Sequence, residues 1–476
     1  MTTEITDALE NAQFGDQRLT KRFVKIMERL DAAPHLSIPA AMHGRAEMEA
    51  AYRFFSNSQV TPETILEEHI TATHQRIRQV GVAVLVQDTT EIDVTRPEVQ
   101  VQGAGPLTSQ IRRGAYHHPL FAFDDKGLPL GKVWEKTWIR EGIEENLTTA
   151  EKNDLRKKTA IEEKESLRWV EGVRHAVETA KKCPQTQCIC VGDSEADIYE
   201  VFCESRKVSE TREIQLVIRA CQDRSLADRN ELLLAAVRAT PCLGTSVVEI
   251  SGRKKKIRAS KRARNEARTA RTITAEIRAM TCTVNPPDRP GRRSLPKMTV
   301  NVVLIEERDP PEGEVPVQWI LITTLPIDTG EQIQLVIDYY KIRWQIEIYF
   351  QTLKSGCRVE ERYFETIDPL LNCLAAYTIV AWKVLYLCRL SRQCPGMSCE
   401  VVFEPCEWKP VYMAIHRKQP PRKPPTLNEM VKMIASLGGH VIRKTNQPGT
   451  QTLWMGLQRM HDFSTAWKTF GPDTRN

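Results

Sequence analysis

Apolar and polar positions divide the chain into segments with different periods. Leu19, Phe23, Ile26 and Leu30 recur at spacings of 4, 3 and 4, the stripe of an amphipathic helix, while Lys21, Arg22, Lys25 and Arg29 take its other faces. Ala50 to Phe55 reads as a further packed helix, and Thr61-Pro62-Glu63 as a helix start, so residues 1–75 read as helical. Gly81 to Gln87 (GVAVLVQ) is a continuous apolar run, as in a strand covered on both faces. His118–Asp124 and Leu128–Trp138 flank the turn Asp124-Asp125-Lys126-Gly127 and predict a hairpin. A charged helical stretch, Ala150 to Lys182, leads to the short apolar run Cys188–Val191, and Glu213–Ala220 reads as another strand.

From about 221 to 315 the pattern turns mostly β. Val247–Ile250, Thr272–Arg278, Met298–Ile305 and, just beyond, Trp319–Thr323 are the expected strands. Residues 335–358 and 366–392 each predict one long helix, and the prolines of 407–425 predict a linker. Two helical segments follow. One carries the stripe Leu427, Met430, Ile434 and Leu437, the other Leu453, Leu457 and Met460. A helical pair this small cannot bury its stripe alone, so the rest of the chain or a second copy must cover it.

Composition narrows the classes. The 476 residues correspond to about three domains. Apolar residues make up 41%, and no run of 18 uncharged apolar residues occurs, so no membrane-spanning helix is expected. The acidic start MTTEITDALENAQFGD lacks the features of a secretory signal. The 13 cysteines include no C-x-x-C pair and no zinc spacing, which reads as reduced thiols. The net charge of +6 conceals one extreme. Arg253 to Arg271 holds ten Lys and Arg against one Glu, a net +9 that leaves the rest of the chain at −3. Such a run is either a solvated loop or a phosphate-binding surface, and its self-repulsion makes better sense facing a polyanion. Arg253, Lys254, Lys255 and Lys256 are its densest part.

The carboxylates carry the chemistry. Asp88 follows VAVLVQ directly, and Asp193 follows ICVG, each at the carboxyl end of a buried strand, where open α/β sheets place their sites. Asp193 also suits a helix cap. In the helix predicted over 335–358, Tyr340, Arg343, Glu347 and Lys354 fall within an arc of about 60° at 100° per residue. That is a poor core face and, as a merely solvated face, worth only tenths of a kcal/mol. Gly127–Lys132 is not a P-loop. His117-His118 reads as an ordinary strand edge rather than a ligand pair.

Tyr340-x2-Arg343-x3-Glu347-x6-Lys354 matches the Y-R-E-K signature of the insertion-sequence-four family of bacterial DDE transposases. Gln87-Asp88-Thr89-Thr90 and Asp193-Ser194-Glu195-Ala196-Asp197-Ile198 resemble that family's two other catalytic blocks. Phe14-Gly15-Asp16-Gln17-Arg18, Ala51-Tyr52-Arg53-Phe54 and Leu437-Gly438-Gly439 extend the resemblance along nearly the whole chain. Ser194 departs from it, since a close relative in the family carries Arg there.

The resemblance implies an α/β fold, with an RNase H-like mixed-sheet catalytic core interrupted by a β-rich insertion and flanked by helical domains. Residues 1–75 would bind DNA ends, 76–370 would form the catalytic domain with the insertion at about 221–315, and 371–476 would dimerise. It implies that Asp88, Asp193 and Glu347 hold two Mg²⁺ per active site, with Mn²⁺ able to substitute. Tyr340, Arg343 and Lys354 become phosphate clamps, Trp319 and Trp344 stack on or support a flipped base, and Arg219 contacts DNA. The implied activity is cut-and-paste transposition through a hairpin intermediate. The partners are double-stranded DNA, both transposon ends and target, and a second copy of the chain in a two-end synaptic complex, with no membrane. The resemblance also favours the second copy as the cover for the tail stripe. The setting is a bacterial cytoplasm, beside the nucleoid. The alternative is a catalytically silent or inhibitory DNA-binding relative.

Overall fold

The computed structural model describes residues 9–109, 111–142, 148, 151, 154–155, 158–206, 214–250, 252, 269–288, 295–443 and 446–471. The basic run from Arg253 through Lys256 and onward to 268 lies outside them. In chain order the helices are α1 (Gln17–Ala32), α2 (Ile38–Ala41), α3 (Arg45–Phe55), α4 (Pro62–Ile77), α5 (Leu167–Lys182), α6 (Tyr199–Arg206), α7 (Leu233–Arg238), α8 (Gly330–Ile342), α9 (Trp344–Gln351), α10 (Ile367–Gln393), α11 (Pro405–His416), α12 (Leu427–Leu437) and α13 (Thr450–Phe470). The strands are β1 (Val82–Gln87), β2 (Thr90–Asp93), β3 (Gly105–Pro106), β4 (Arg113–Asp124), β5 (Pro129–Trp138), β6 (Gln187–Gly192), β7 (Gln215–Arg219), β8 (Gly244–Ile250), β9 (Arg271–Val284), β10 (Met298–Glu307) and β11 (Gln318–Thr323). The chain forms two compact units. The first takes Met1–Asn146, Lys182–Gln187 and Trp344–Asn476, and the second takes Leu147–Lys181 and Cys188–Arg343.

In the first unit, β4 is the central strand, with β1, β2, β3 and β5 all antiparallel to it. Gln87 stands opposite Leu120 and Thr90 opposite His117, so one register continues across the gap between β1 and β2. That register sets Asp88 opposite Pro119 and Thr89 opposite His118. Proline has no N–H to give a ladder, which accounts for the interruption at Asp88 and Thr89.

Helix α10 forms the core of this unit. Its buried side chains run all round it, and it packs against α1, α3, α4, α12, α13 and β5. By length and composition it could cross a membrane, but 83% of its most apolar 18-residue window is buried inside the protein. Lys383, a charge midway along it, pairs with Asp31 of α1.

The tail stripe is likewise covered from within. Leu427, Met430, Ile434, Leu453, Leu457 and Met460 share one cluster with Val384, Leu387, Phe403 and Trp408, so the stripe is not left for a second copy. The expected linker is half helix. Pro405 occupies the first turn of α11, where a missing N–H costs nothing, and burial of Trp408 and Val411 holds the helix despite the internal Pro410.

In the second unit the order is β6, β7, β11, β10, β9, β8. Only β6 and β7 are parallel, and the rest are antiparallel neighbours. The β-rich stretch therefore continues the sheet that starts at β6 and β7. The fold as a whole is mixed α/β with an RNase H-like core and helical flanks.

The segment 182–187 seals the end of α4. Thr186 Oγ1 donates to Ile77 O at 2.7 Å, Cys183 Sγ donates to His74 O at 3.5 Å, and Gln187 N donates to Gly81 O at 2.9 Å. Burial there, then the charges of Lys182 and Arg78, pushes the His74 imidazole from 6.5 down to about 4. His74 is neutral when folded, whereas the unfolded chain takes up its proton from about pH 6.5 downward. Its contribution to stability is therefore lost as pH falls from about 6.5 to about 4, with a slope of up to about 1.4 kcal/mol per pH unit. Urea melts across that window should show a shallower slope in His74→Gln, by up to one proton's worth.

Candidate active site

Two of the three sequence-predicted acids belong to the first unit. Side chains alternate along a strand and cross-strand partners share a face, so Asp88 lies on the β4 face that carries His117, Pro119 and Phe121. Helix α9, which carries Glu347, packs on that same face, with the ring of Tyr349 at 4.7 Å from that of Phe121. Glu347 is exposed in the first turn of α9, and Asp88 is half-buried. Lys354 also sits by this face. Burial first, then the charges of Lys132 and Lys354, holds the His117 imidazole well below its usual pKa.

Lys354 belongs to a π-turn, Thr352–Gly356, closed by Cys357 N donating to Thr352 O at 2.8 Å. Its Nζ stands 3.5 Å from Glu360 Oε1, which also accepts from Asp93 N at 3.0 Å. Gly356 is required beside it, because a Cβ there would meet the Trp454 ring at 2.7 Å.

The second unit carries the third acid. Asp193 and Arg219 leave the carboxyl ends of the parallel neighbours β6 and β7, where Gly192 stands opposite Ile218. Asp193 Oδ1 accepts from Glu195 N at 2.8 Å and caps the single turn Ser194–Ala196. Gly192 allows that turn, since a Cβ would lie 2.5 Å from Ala196 Cβ. Asp197, fully buried, accepts from Cys221 N at 2.7 Å and Gln222 N at 2.8 Å, and pairs with Arg224 at 2.5 Å. Arg168 reaches Glu195 at 2.8 Å. The Trp319 ring of β11 lies 5.8 Å from that of Tyr340, and the Arg343 guanidinium lies over the Tyr340 ring, 5.8 Å from its centroid. Arg219 donates to Gln318 O at 3.5 Å.

Three family models match this chain in sequence. Residues 1–60 match "Transposase DNA-binding", 172–380 match "Transposase DDE domain", and 379–469 match "Transposase Tn5 dimerisation domain". The chain belongs to the Tn5-like DDE transposases. A solved structure described as the piggyBac transposase synaptic complex with hairpin DNA aligns over 79% of this chain and 67% of its own. The identity is 11% and the TM-score 0.38, a likeness too loose to place residues. The protein is thus a DNA transposase with a DNA-binding segment and a dimerisation domain.

The transposase departs from the sequence reading in its signature helix. Tyr340 and Arg343 are buried, at 1% and 5% exposure, whereas Glu347 and Trp344 are exposed. A uniform 100° per residue fails because α8 ends at Ile342 with Arg343 as its cap, α9 starts afresh at Trp344, and the chain enters the π-turn at Thr352. The expected strand edge at His117-His118 is also corrected, because β4 is central and both rings are fully buried.

Sequence reasoning missed Glu360 beside Lys354 and Arg224 beneath Asp197. Neither belongs to a recognisable motif: Glu360 follows Lys354 closely but only the π-turn brings it back, and Arg224 reaches Asp197 from beyond β7. Asp197→Ala would leave the Arg224 guanidinium buried without its carboxylate and should cost about 3–5 kcal/mol of stability in urea denaturation.

Proposed function

We propose that this transposase works by cut and paste. It binds the terminal inverted repeats of its element through residues 1–75, cleaves the ends through a hairpin intermediate, and joins them to target DNA as a homodimer holding two ends. Residues 76–370 are the proposed catalytic domain and 371–476 the dimerising one. The observation that carries this reading is the order of the three matched segments along one chain, DNA-binding, DDE and dimerisation, together with acids at the ends of β1 and β6.

Asp88, Asp193 and Glu347 are the proposed catalytic acids. They offer only carboxylate oxygens, the donors that hard divalent cations take. Among the described residues no three or more His, Cys, Asp or Glu form a ready-made metal cluster. Mg²⁺ needs none, since it keeps several waters and combines one or two carboxylates with substrate phosphates. The donor set therefore fits two Mg²⁺, or Mn²⁺ in their place. When bound, these ions acidify the attacking water or 3′-hydroxyl and stabilise the leaving oxygen.

The side chains around the acids would hold the DNA. Lys354, Arg343 and Tyr340 are the proposed phosphate clamps, and Lys354 is the most accessible of them. Its partly exposed pair with Glu360 is worth at most about 1 kcal/mol, so exchange of that carboxylate for a phosphate is weakly opposed. Trp319 and Trp344 would stack on or support a flipped base, offsetting an unstacking cost of a few kcal/mol. Arg219 would contact DNA beside Asp193.

Glu347→Gln tests the reading. Cleavage of end-bearing DNA in Mg²⁺ should fall by at least about 1,000-fold, while gel-shift affinity for the ends persists, because the acid makes no base contact. Equal loss of binding and cleavage would overturn the assignment, and cleavage of DNA lacking the ends would favour a general nuclease. A second test concerns Arg253, Lys254, Lys255 and Lys256. Replacing them with Gln should reduce the slope of log K against log salt by up to about 0.9 per lost phosphate contact, with the preferred sequence unchanged.

A further inference from the structure

Pro119 leaves the backbone at Asp88 and Thr89 without part of its cross-strand ladder. The structure supplies a substitute on the opposite face of β1. His118, fully buried, brings Nδ1 to 2.8 Å from Thr89 Oγ1 and Nε2 to 3.2 Å from Gln87 Oε1. With the ring proton on Nε2, the imidazole donates to the Gln87 carbonyl oxygen and accepts from the Thr89 hydroxyl. The ring therefore bridges the two residues that flank Asp88. It is itself held edge-on by Trp134, with centroids 6.0 Å apart.

Thr89 carries the restraint to the carboxylate. Its hydroxyl meets the His118 ring, and its backbone N donates to Asp88 Oδ1 at 2.7 Å. Turning the Asp88–Thr89 peptide would break both contacts at once. We infer that His118 and Thr89 are positioning residues for Asp88, fixing the orientation of its carboxylate before cation and DNA arrive. The inference rests on Asp88 being one of the metal-ligating acids proposed above. Groups that orient a metal ligand in this way typically change metal affinity or activity by about 10–100-fold when removed.

The test uses the full chain with end-bearing DNA. Thr89→Val removes the hydroxyl at nearly constant shape, and His118→Leu removes both ring contacts. In each, half-saturating Mn²⁺ should rise about 10–100-fold, read both by cleavage and by electron paramagnetic resonance of bound Mn²⁺. End affinity without divalent ions should stay within about twofold of wild type, since neither side chain is a phosphate contact. Thr89→Ser, which keeps the hydroxyl, should recover most of the loss. Should His118→Leu fail to fold by circular dichroism, the Thr89 pair decides. Asp88→Asn separates the two levels of the argument. If it cleaves at the wild-type rate, Asp88 is not the acid and the positioning role falls with it. If Asp88→Asn is inert but folded Thr89→Val and His118→Leu saturate with Mn²⁺ as wild type does, the positioning role alone is overturned.

Discussion

Burial of α10 is the constraint on which the first unit depends. A helix of 27 residues that is apolar on every side must be enclosed, and the enclosing elements come from three distant stretches of chain. Its few polar groups fix how they meet it. Asn372 Nδ2 donates to Phe55 O and Val60 O, at 2.9 and 2.8 Å, which seats the N-terminal helices. Trp382 Nε1 donates to Pro129 O at 2.8 Å and sets the start of β5. Lys132 of β5 reaches Thr378 at 2.7 Å, and the Arg362 guanidinium lies 4.6 Å over Tyr377. Such contacts are specific because each would be a costly unsatisfied group if the helix rotated. The DNA-binding segment, the sheet bearing Asp88 and the dimerisation domain are thereby indexed to one rod.

The face of the sheet that bears Asp88 is organised by charge as well as by packing. Lys132 is fully buried with Glu135 as its ion partner, and burial lowers its pKa from the usual lysine value. Lys354 faces the same neighbourhood but keeps part of its surface, and its partner Glu360 is tethered to β2 through Asp93 N. One lysine is committed to the interior and the other remains exchangeable. The difference follows from position, since Lys132 lies in the buried first half of β5, whereas Lys354 is on the side of the π-turn that is not buried.

Much of this was legible in the sequence, and the reasons for the rest are physical. Continuous apolar runs announced β1 and β6, so the acids that follow them could be placed without a structure. The helix at 366–392 was readable for the same reason. Periodicity could not show that α8 and α9 are separate, because a break at Arg343 and a π-turn at Thr352 leave the apolar pattern almost unchanged. Nor could it say what covers the stripe from Leu427 to Leu437, since a stripe demands a partner without naming one. His117-His118 reads from the sequence as an edge, yet both rings are buried, with His117 Nδ1 3.0 Å from Thr137 Oγ1 of β5 and His118 Nε2 3.2 Å from Gln87 Oε1 of β1. The Asp197–Arg224 pair was hidden because tertiary ion pairs leave no spacing to find.

Pro119 has one more consequence. The missing N–H belongs to β4, so it stays put if β1 slides along its partner. A one-residue slip would bring Gln87 or Thr89 opposite the proline and turn Asp88 to the other side of the sheet. Of all alignments of these two strands, only the native one sets the gap beside the acid and leaves His118 facing a hydroxyl. The proline therefore works as an index mark: in a misaligned pairing of β1 with β4 the gap no longer falls beside the acid, and such a pairing is disfavoured before any metal or DNA can select against it.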